Sequence, residues 1–332
     1  MPHVLRTITP GKARSLARIS DGEGRYAVLA IDQRWQLFEF ISRVTSKPVD
    51  GVETETGEVK GVLASVLAPH VTGLLVDPFL GYQRVVPDLP RSVGLLLTME
   101  DHGFDTHTGG HRTSRLMPRW TVASAVRAGA EALKLLVWYR HDAPASVRAK
   151  QVDFVRGVGD ECRTADRPLV LEILPYRLAS ETEADYARSL PNLTRALAEA
   201  FADPALGVDL YKLALPGSAD GVREWGGSLY GLADLRAHMT RLTDVLPASW
   251  VLLSGGMPAH QFIEALRAAL DGGARGYLAG RAVWWAPLQA YPDLAAVRQA
   301  LQTAGVATLA ALNRDTMRLP SQKVSASWML HV

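Results

Sequence analysis

Val208-Asp209-Leu210-Tyr211-Lys212-Leu213-Ala214-Leu215-Pro216 is an apolar run closed by a proline, and it reads as a short buried strand. Its single cation, Lys212, stands near the carboxyl end of that strand. Burying an ammonium is costly, so two readings are open. The lysine can be kept as a neutral amine that attacks a carbonyl and forms a Schiff base. It can instead snorkel to water or pair with a carboxylate. Runs of the same kind recur at 26–31, 73–76, 94–97, 132–137, 169–173, 250–253 and 276–279. Helical stretches separate them. In 258–271, Phe262, Ile263, Leu266 and Leu270 fall on one face, and 121–130 and 187–202 read the same way. Strand and helix in alternation predict an α/β fold with a parallel sheet closed as a (β/α)8 TIM barrel. An open doubly wound sheet is the alternative.

The chain has 332 residues, 48% hydrophobic and 21% charged, ample for one large core. No Pro/Gly/Ser-rich linker divides it, so a single domain over 1–332 is expected. Residues 46–60, rich in Glu, Thr and Gly, read as a flexible insertion, and the tail after Asn313 reads as an appendage. Mean hydropathy of +0.02 and the lack of a long uncharged apolar run argue against a membrane span. Net charge is only +2 with Lys and Arg scattered, which argues against nucleic acid as a partner. Met1–Arg6 lacks the apolar core of a secretory signal, and one cysteine, Cys162, fits a reducing compartment, so a cytoplasmic location is expected. A symmetric homo-oligomer is expected on general grounds for an enzyme of this size.

Polar residues gather at one end of the predicted strands. Asp32-Gln33-Arg34 follows the first, Asp77 the second and Glu100 the third; Lys134, Glu172 and Lys212 lie within the fourth, fifth and sixth; Ser254-Gly255-Gly256 follows the seventh and Gly280-Arg281 the eighth. Active sites of such barrels lie at the carboxyl ends of the strands, and phosphate commonly binds after strands seven and eight. Glycine backbone and a helix start can approach an anion there, with Arg281 as a fixed cation. Lys134 and Lys212 can meet across the mouth, each disfavouring the other's protonation. Lowering a lysine from about 10.4 toward about 7–8 takes roughly 3–5 kcal/mol. Glu172 is placed either as a general acid/base or as a salt-bridge partner that keeps a lysine charged. Glu100, Asp101, His102, Asp105, His107 and His111 crowd a glycine-containing loop that looks mobile. Such groups can ligate zinc, but no helical ligand spacing appears and no metal is expected.

Ala30-Ile31-Asp32-Gln33-Arg34, Leu133-Lys134-Leu135-Leu136, Leu171-Glu172-Ile173-Leu174, Asp209-Leu210-Tyr211-Lys212, Leu253-Ser254-Gly255-Gly256 and Leu278-Ala279-Gly280-Arg281-Ala282-Val283-Trp284 resemble the class I tagatose-1,6-bisphosphate aldolases and the related sulfofructose-phosphate aldolases. The resemblance implies a lyase without cofactor. It would cleave a phosphorylated ketose, such as tagatose 1,6-bisphosphate, to dihydroxyacetone phosphate and glyceraldehyde 3-phosphate. The alternatives are sulfofructose 1-phosphate, giving sulfolactaldehyde, and a non-catalytic sugar-phosphate sensor. The resemblance further implies that Lys212 forms the Schiff base, Glu172 shuttles protons, and Lys134 and Asp32 shape the charge. Gln33 would hold substrate hydroxyls, Ser254, Gly255, Gly280 and Arg281 the triose phosphate, and Arg34 the distal anion. Two positions depart from the family pattern. Ala214 stands where an acidic residue is usual two positions after the nucleophile, and Asp101 where the tagatose branch has lysine.

Overall fold

The computed structural model describes residues 8–322. In chain order the barrel strands are β1 (Tyr26–Ala30), β2 (Gly73–Val76), β3 (Gly94–Thr98), β4 (Ala132–Trp138), β5 (Leu169–Leu174), β6 (Val208–Leu213), β7 (Trp250–Leu253) and β8 (Gly276–Ala279). Each pairs in parallel with its neighbour in the chain, and β8 closes on β1. All eight lie where the apolar runs predicted, with ends moved by at most three residues.

Strand residues alternate between two cores. Leu133, Leu135, Leu171, Tyr211, Leu213 and Leu252 face out and pack under the helices. Val28, Leu75, Leu96, Ala132, Val170, Leu210, Val251 and Leu278 face in and fill the barrel toward the amino ends of its strands. Both faces are apolar, which explains why the strands read as continuous hydrophobic runs. The interior continues upward as Lys134, Glu172 and Lys212, so the apolar filling gives way to charge at the carboxyl ends.

The floor is closed by a helix, Pro10–Arg18, whose Leu16 joins Ile8 and Ile19 in the inner core. Lys12 of this helix donates to Asp209 Oδ2 at 2.7 Å, with both side chains nearly inaccessible. Asp209 also accepts from the Leu169 N–H at 3.0 Å, at the register shift between β5 and β6. No sequence signal pointed to this plug.

Residues 46–60 are not a flexible insertion. They hold a 3-10 turn, Val49–Gly51, and most of a helix, Glu53–Leu67, which buries Thr56, Val59, Lys60 and Leu63. Beyond Asn313 the last helix, Val306–Thr316, leads into a run across the floor, where Arg25 donates to the Met317 carbonyl at 2.7 Å and Arg275 to that of Pro320 at 3.0 Å. The expected appendage therefore starts as a packed element; its last part, 323–332, lies outside the described residues. The loop after β3 is a small hairpin, with Asp105–Thr106 paired antiparallel to Arg112–Thr113. Among the described residues no helix is long and apolar enough to cross a membrane.

Candidate active site

Parallel pairing sets Glu172 beside Lys212 in register, Thr98 beside Lys134 and Leu136 beside Glu172. Three adjacent strands thus deliver two lysines and a carboxylate to one level of the barrel mouth. Lys134 Nζ lies 3.1 Å from Asp32 Oδ2, 2.6 Å from Glu100 Oε1 and 2.8 Å from Glu172 Oε2. Lys212 Nζ donates to the same Glu172 oxygen at 2.7 Å. All five residues are buried.

Burial alone would push the Asp32 and Glu172 carboxyls up. The ammonium groups of Lys134 and Lys212 outweigh it and hold both below the usual carboxylate range, Asp32 far below. Lys134 moves the other way. Burial disfavours its charge, but Glu100, Glu172 and Asp32 raise it above the ordinary lysine value. The expected mutual depression of a lysine pair is therefore not what sets Lys134. A carboxylate stands between the two amines, and Lys134 is a fixed cation.

The sequence puts Glu100 both at the end of the third strand and beside the loop histidines. It turns inward, accepting from Thr98 Oγ1 at 2.6 Å and the Leu136 N–H at 3.0 Å as well as from Lys134. Its place at the end of a strand, like that of Asp32, was the available signal. Arg34 donates to the Glu100 carbonyl at 3.0 Å and to Met117 Sδ at 3.0 Å, so it braces this cluster. A second pair went unread: Lys60 and Asp77, both fully inaccessible, are joined beneath the loop after β2. Desolvation pulls the Lys60 ammonium below its ordinary value.

The loops after β7 and β8 form the other wall. The Gly280 N–H donates weakly to Ser254 Oγ at 3.4 Å, and Gly255 and Gly256 adopt positive φ of 58° and 92°. A Cβ at Gly256 would stand 3.1 Å from the Arg281 guanidinium carbon; one at Gly280 would stand 2.6 Å from the Ala30 carbonyl and 2.9 Å from Gln33 Nε2. Gln33, Ser254, Gly280 and Arg281 are thus brought together, with Gly255 at their edge. Asp32 Oδ1, Gln33 Oε1 and Arg34 Nε are buried without a hydrogen-bond partner among the described residues. Buried polar atoms left unpaired are uncommon, and these three lie on consecutive residues at the mouth.

The loop histidines do not converge. His102 stacks on Trp35, His107 Nε2 meets Thr113 Oγ1 at 2.9 Å, and His111 Nδ1 meets the Tyr176 hydroxyl at 3.3 Å. Among the described residues no group of three or more His, Cys, Asp or Glu is arranged to hold a metal. Cys162 is buried, and desolvation pushes its thiol up to about 12.

Fold and mouth together define a (β/α)8 barrel with an amine–carboxylate centre. The family model for DeoC/LacD family aldolases matches residues 27–286. Tagatose 1,6-diphosphate aldolase 1 of Streptococcus mutans is 29% identical over 316 residues, covering 93% of this chain and 96% of that one. Tagatose 1,6-diphosphate aldolase 2 of Enterococcus faecalis is 30% identical over 284 residues, covering 84% of each. Among solved structures, a fructose-bisphosphate aldolase from Plasmodium falciparum superposes with a TM-score of 0.66 at 14% identity, covering 96% of this chain and 98% of that one, a likeness of fold. The chain belongs to the DeoC/LacD aldolase family and is a lyase.

Proposed function

We propose that the protein is a class I aldolase that cleaves a ketose 1,6-bisphosphate, tagatose 1,6-bisphosphate in the first instance, to dihydroxyacetone phosphate and glyceraldehyde 3-phosphate. The observation that carries the reading is the 2.7 Å contact of Lys212 Nζ with a Glu172 oxygen that Lys134 holds at 2.8 Å. Lys212 is the nucleophile. Its amine adds to the C2 carbonyl, and Glu172, kept ionised by the Lys134 ammonium, is placed to accept the proton released from nitrogen. Returning that proton to the C2 oxygen gives the neutral carbinolamine, and a second proton, taken from water through Glu172, lets the C2 hydroxyl leave as water and gives the iminium. The C3–C4 electron pair then becomes the C2–C3 double bond of an enamine as the C=N pair moves to nitrogen, the C4 hydroxyl passes its proton to Glu172, and the aldehyde departs. Protonation of the enamine at C3 and hydrolysis release dihydroxyacetone phosphate and restore the amine.

Lys134, held charged by its carboxylates, keeps Glu172 ionised and fixes its position. Asp32 completes that charge cluster. Ser254, Gly255, Gly280 and Arg281 take the phosphate on C1, and Gln33, whose Oε1 is buried without a partner among the described residues, takes a substrate hydroxyl. The iminium is the electron sink, so the scheme uses no metal. Retro-aldol cleavage by the wild type, lost by at least roughly 1,000-fold in Lys212→Ala, is the expected result. Near-wild-type cleavage by that variant would overturn the reading.

A further inference from the structure

The C1 phosphate corner lies at β7 and β8, and Lys212 stands on β6. A ketose anchored at those two points directs its far end across the mouth, toward β3, β4 and β5. Alternation along β4 puts Trp138 on the same side as Lys134, and Tyr176, two residues past the end of β5, meets the Trp138 ring edge to face at 6.4 Å. Above these two rings sits Arg112 of the hairpin after β3. Its guanidinium carbon lies 4.2 Å from the ring centre of Phe104, 4.9 Å from that of Tyr176 and 5.2 Å from that of Trp138. Among the described residues the guanidinium has no carboxylate within ion-pair distance and no hydrogen-bond acceptor. This separates it from Arg115, which pairs with Asp101 and Asp105, and from Arg34, which donates to the Glu100 carbonyl.

The cage is rigidly held. The Arg112 N–H donates to the Tyr176 hydroxyl at 3.0 Å. The Tyr176 carbonyl accepts from Arg140, which is buried and forked between Asp142 and Glu181. Phe104 and Trp138 meet edge to face at 5.9 Å. Aromatic faces fix a guanidinium without consuming its N–H edge, which stays able to fork onto an oxyanion.

We propose that Arg112 is the specificity residue of the substrate's far end, binding the terminal oxyanion carried on C6. Position 101, where the tagatose branch has lysine, supplies no cation here. Asp101 is instead tied into the hairpin by the Gly103 N–H and Arg115. The inference rests on the aldolase reading above and assigns a residue to the half of the substrate that the reading leaves unassigned.

The test compares kcat/KM for tagatose 1,6-bisphosphate and tagatose 1-phosphate in wild type, Arg112→Gln and Arg112→Lys. Arg112→Gln should lower the value for the bisphosphate by roughly 30-fold or more and that for the 1-phosphate by less than about threefold. Arg112→Lys, which keeps charge but not the planar fork, should fall between for the bisphosphate. Equal losses on both substrates, or no loss on either, would overturn the assignment. Borohydride trapping with dihydroxyacetone phosphate, which has no far end, serves as the control. An adduct on wild type and on Arg112→Gln shows that both are folded and make the imine, so unchanged selectivity then sinks the Arg112 claim alone. No adduct and no cleavage in wild type would sink the aldolase reading and this inference with it.

Discussion

Lys134 is the residue on which the charge pattern turns, because three carboxylates converge on its ammonium within 3.1 Å. Removing one partner of a buried ionic group leaves the others uncompensated, at about 3–5 kcal/mol. Lys134→Met should therefore be destabilised by about that amount at pH 7. Asp32 and Glu172 have depressed folded pKa values, so their contribution is present above the unfolded carboxylate range and lost as pH falls through the folded values. Lys134 is raised, so its contribution is fully present below its ordinary 10.5 and is lost above that, as pH rises through its folded value. Without Lys134 the clustered carboxylates take up protons more readily, and the deficit of the variant should shrink between pH 7 and pH 5. Urea unfolding at the two pH values checks this; an equal deficit at both would contradict it. Glu172→Gln keeps the shape of the side chain and removes the base, so kcat should fall by roughly 100- to 10,000-fold with the fold intact by circular dichroism.

At the scale of elements, the strands are built to be recognised and the contacts between them are not. Each barrel strand is apolar on both faces and so stands out as a run, and the position of Lys134, Glu172 and Lys212 within three successive strands follows directly. Their pairing does not, because Asp32 and Lys134 meet from 102 positions apart. The helix Glu53–Leu67 is hidden in the sequence for a related reason. Its Glu, Thr and Gly content looks like solvated loop, but Thr56 turns back onto the Val52 carbonyl at 2.8 Å and Lys60 is neutralised by Asp77. The floor helix depends on such a pairing too. Lys12→Met strips Asp209 of its buried ammonium and should cost about 3–5 kcal/mol in urea unfolding while kcat per folded molecule stays within about twofold. A matching loss of kcat would mean that the plug reaches the mouth. Gly280→Ala should act at the site itself, since the added carbon meets the Ala30 carbonyl and the Gln33 amide. Its KM for the bisphosphate should rise by at least about tenfold.

Across the whole molecule, the barrel interior is divided into an apolar lower half sealed by the floor helix and a charged upper half. Two cationic corners, Arg281 by β8 and Arg112 above β4 and β5, flank the amine–carboxylate centre. That layout suits a substrate with an anion at each end and a carbonyl between. Because the electron sink is an imine made by the chain, prolonged treatment with a chelator should leave kcat/KM within about twofold. A loss restored by added divalent cation would point to a metal-dependent route.

The most direct measurement is borohydride reduction of the protein mixed with dihydroxyacetone phosphate, followed by digestion and mass mapping. A stable adduct on the peptide containing Lys212, absent in Lys212→Ala, is the expected result. An adduct on another lysine, or none while the phosphate still binds, would contradict Schiff-base chemistry at Lys212.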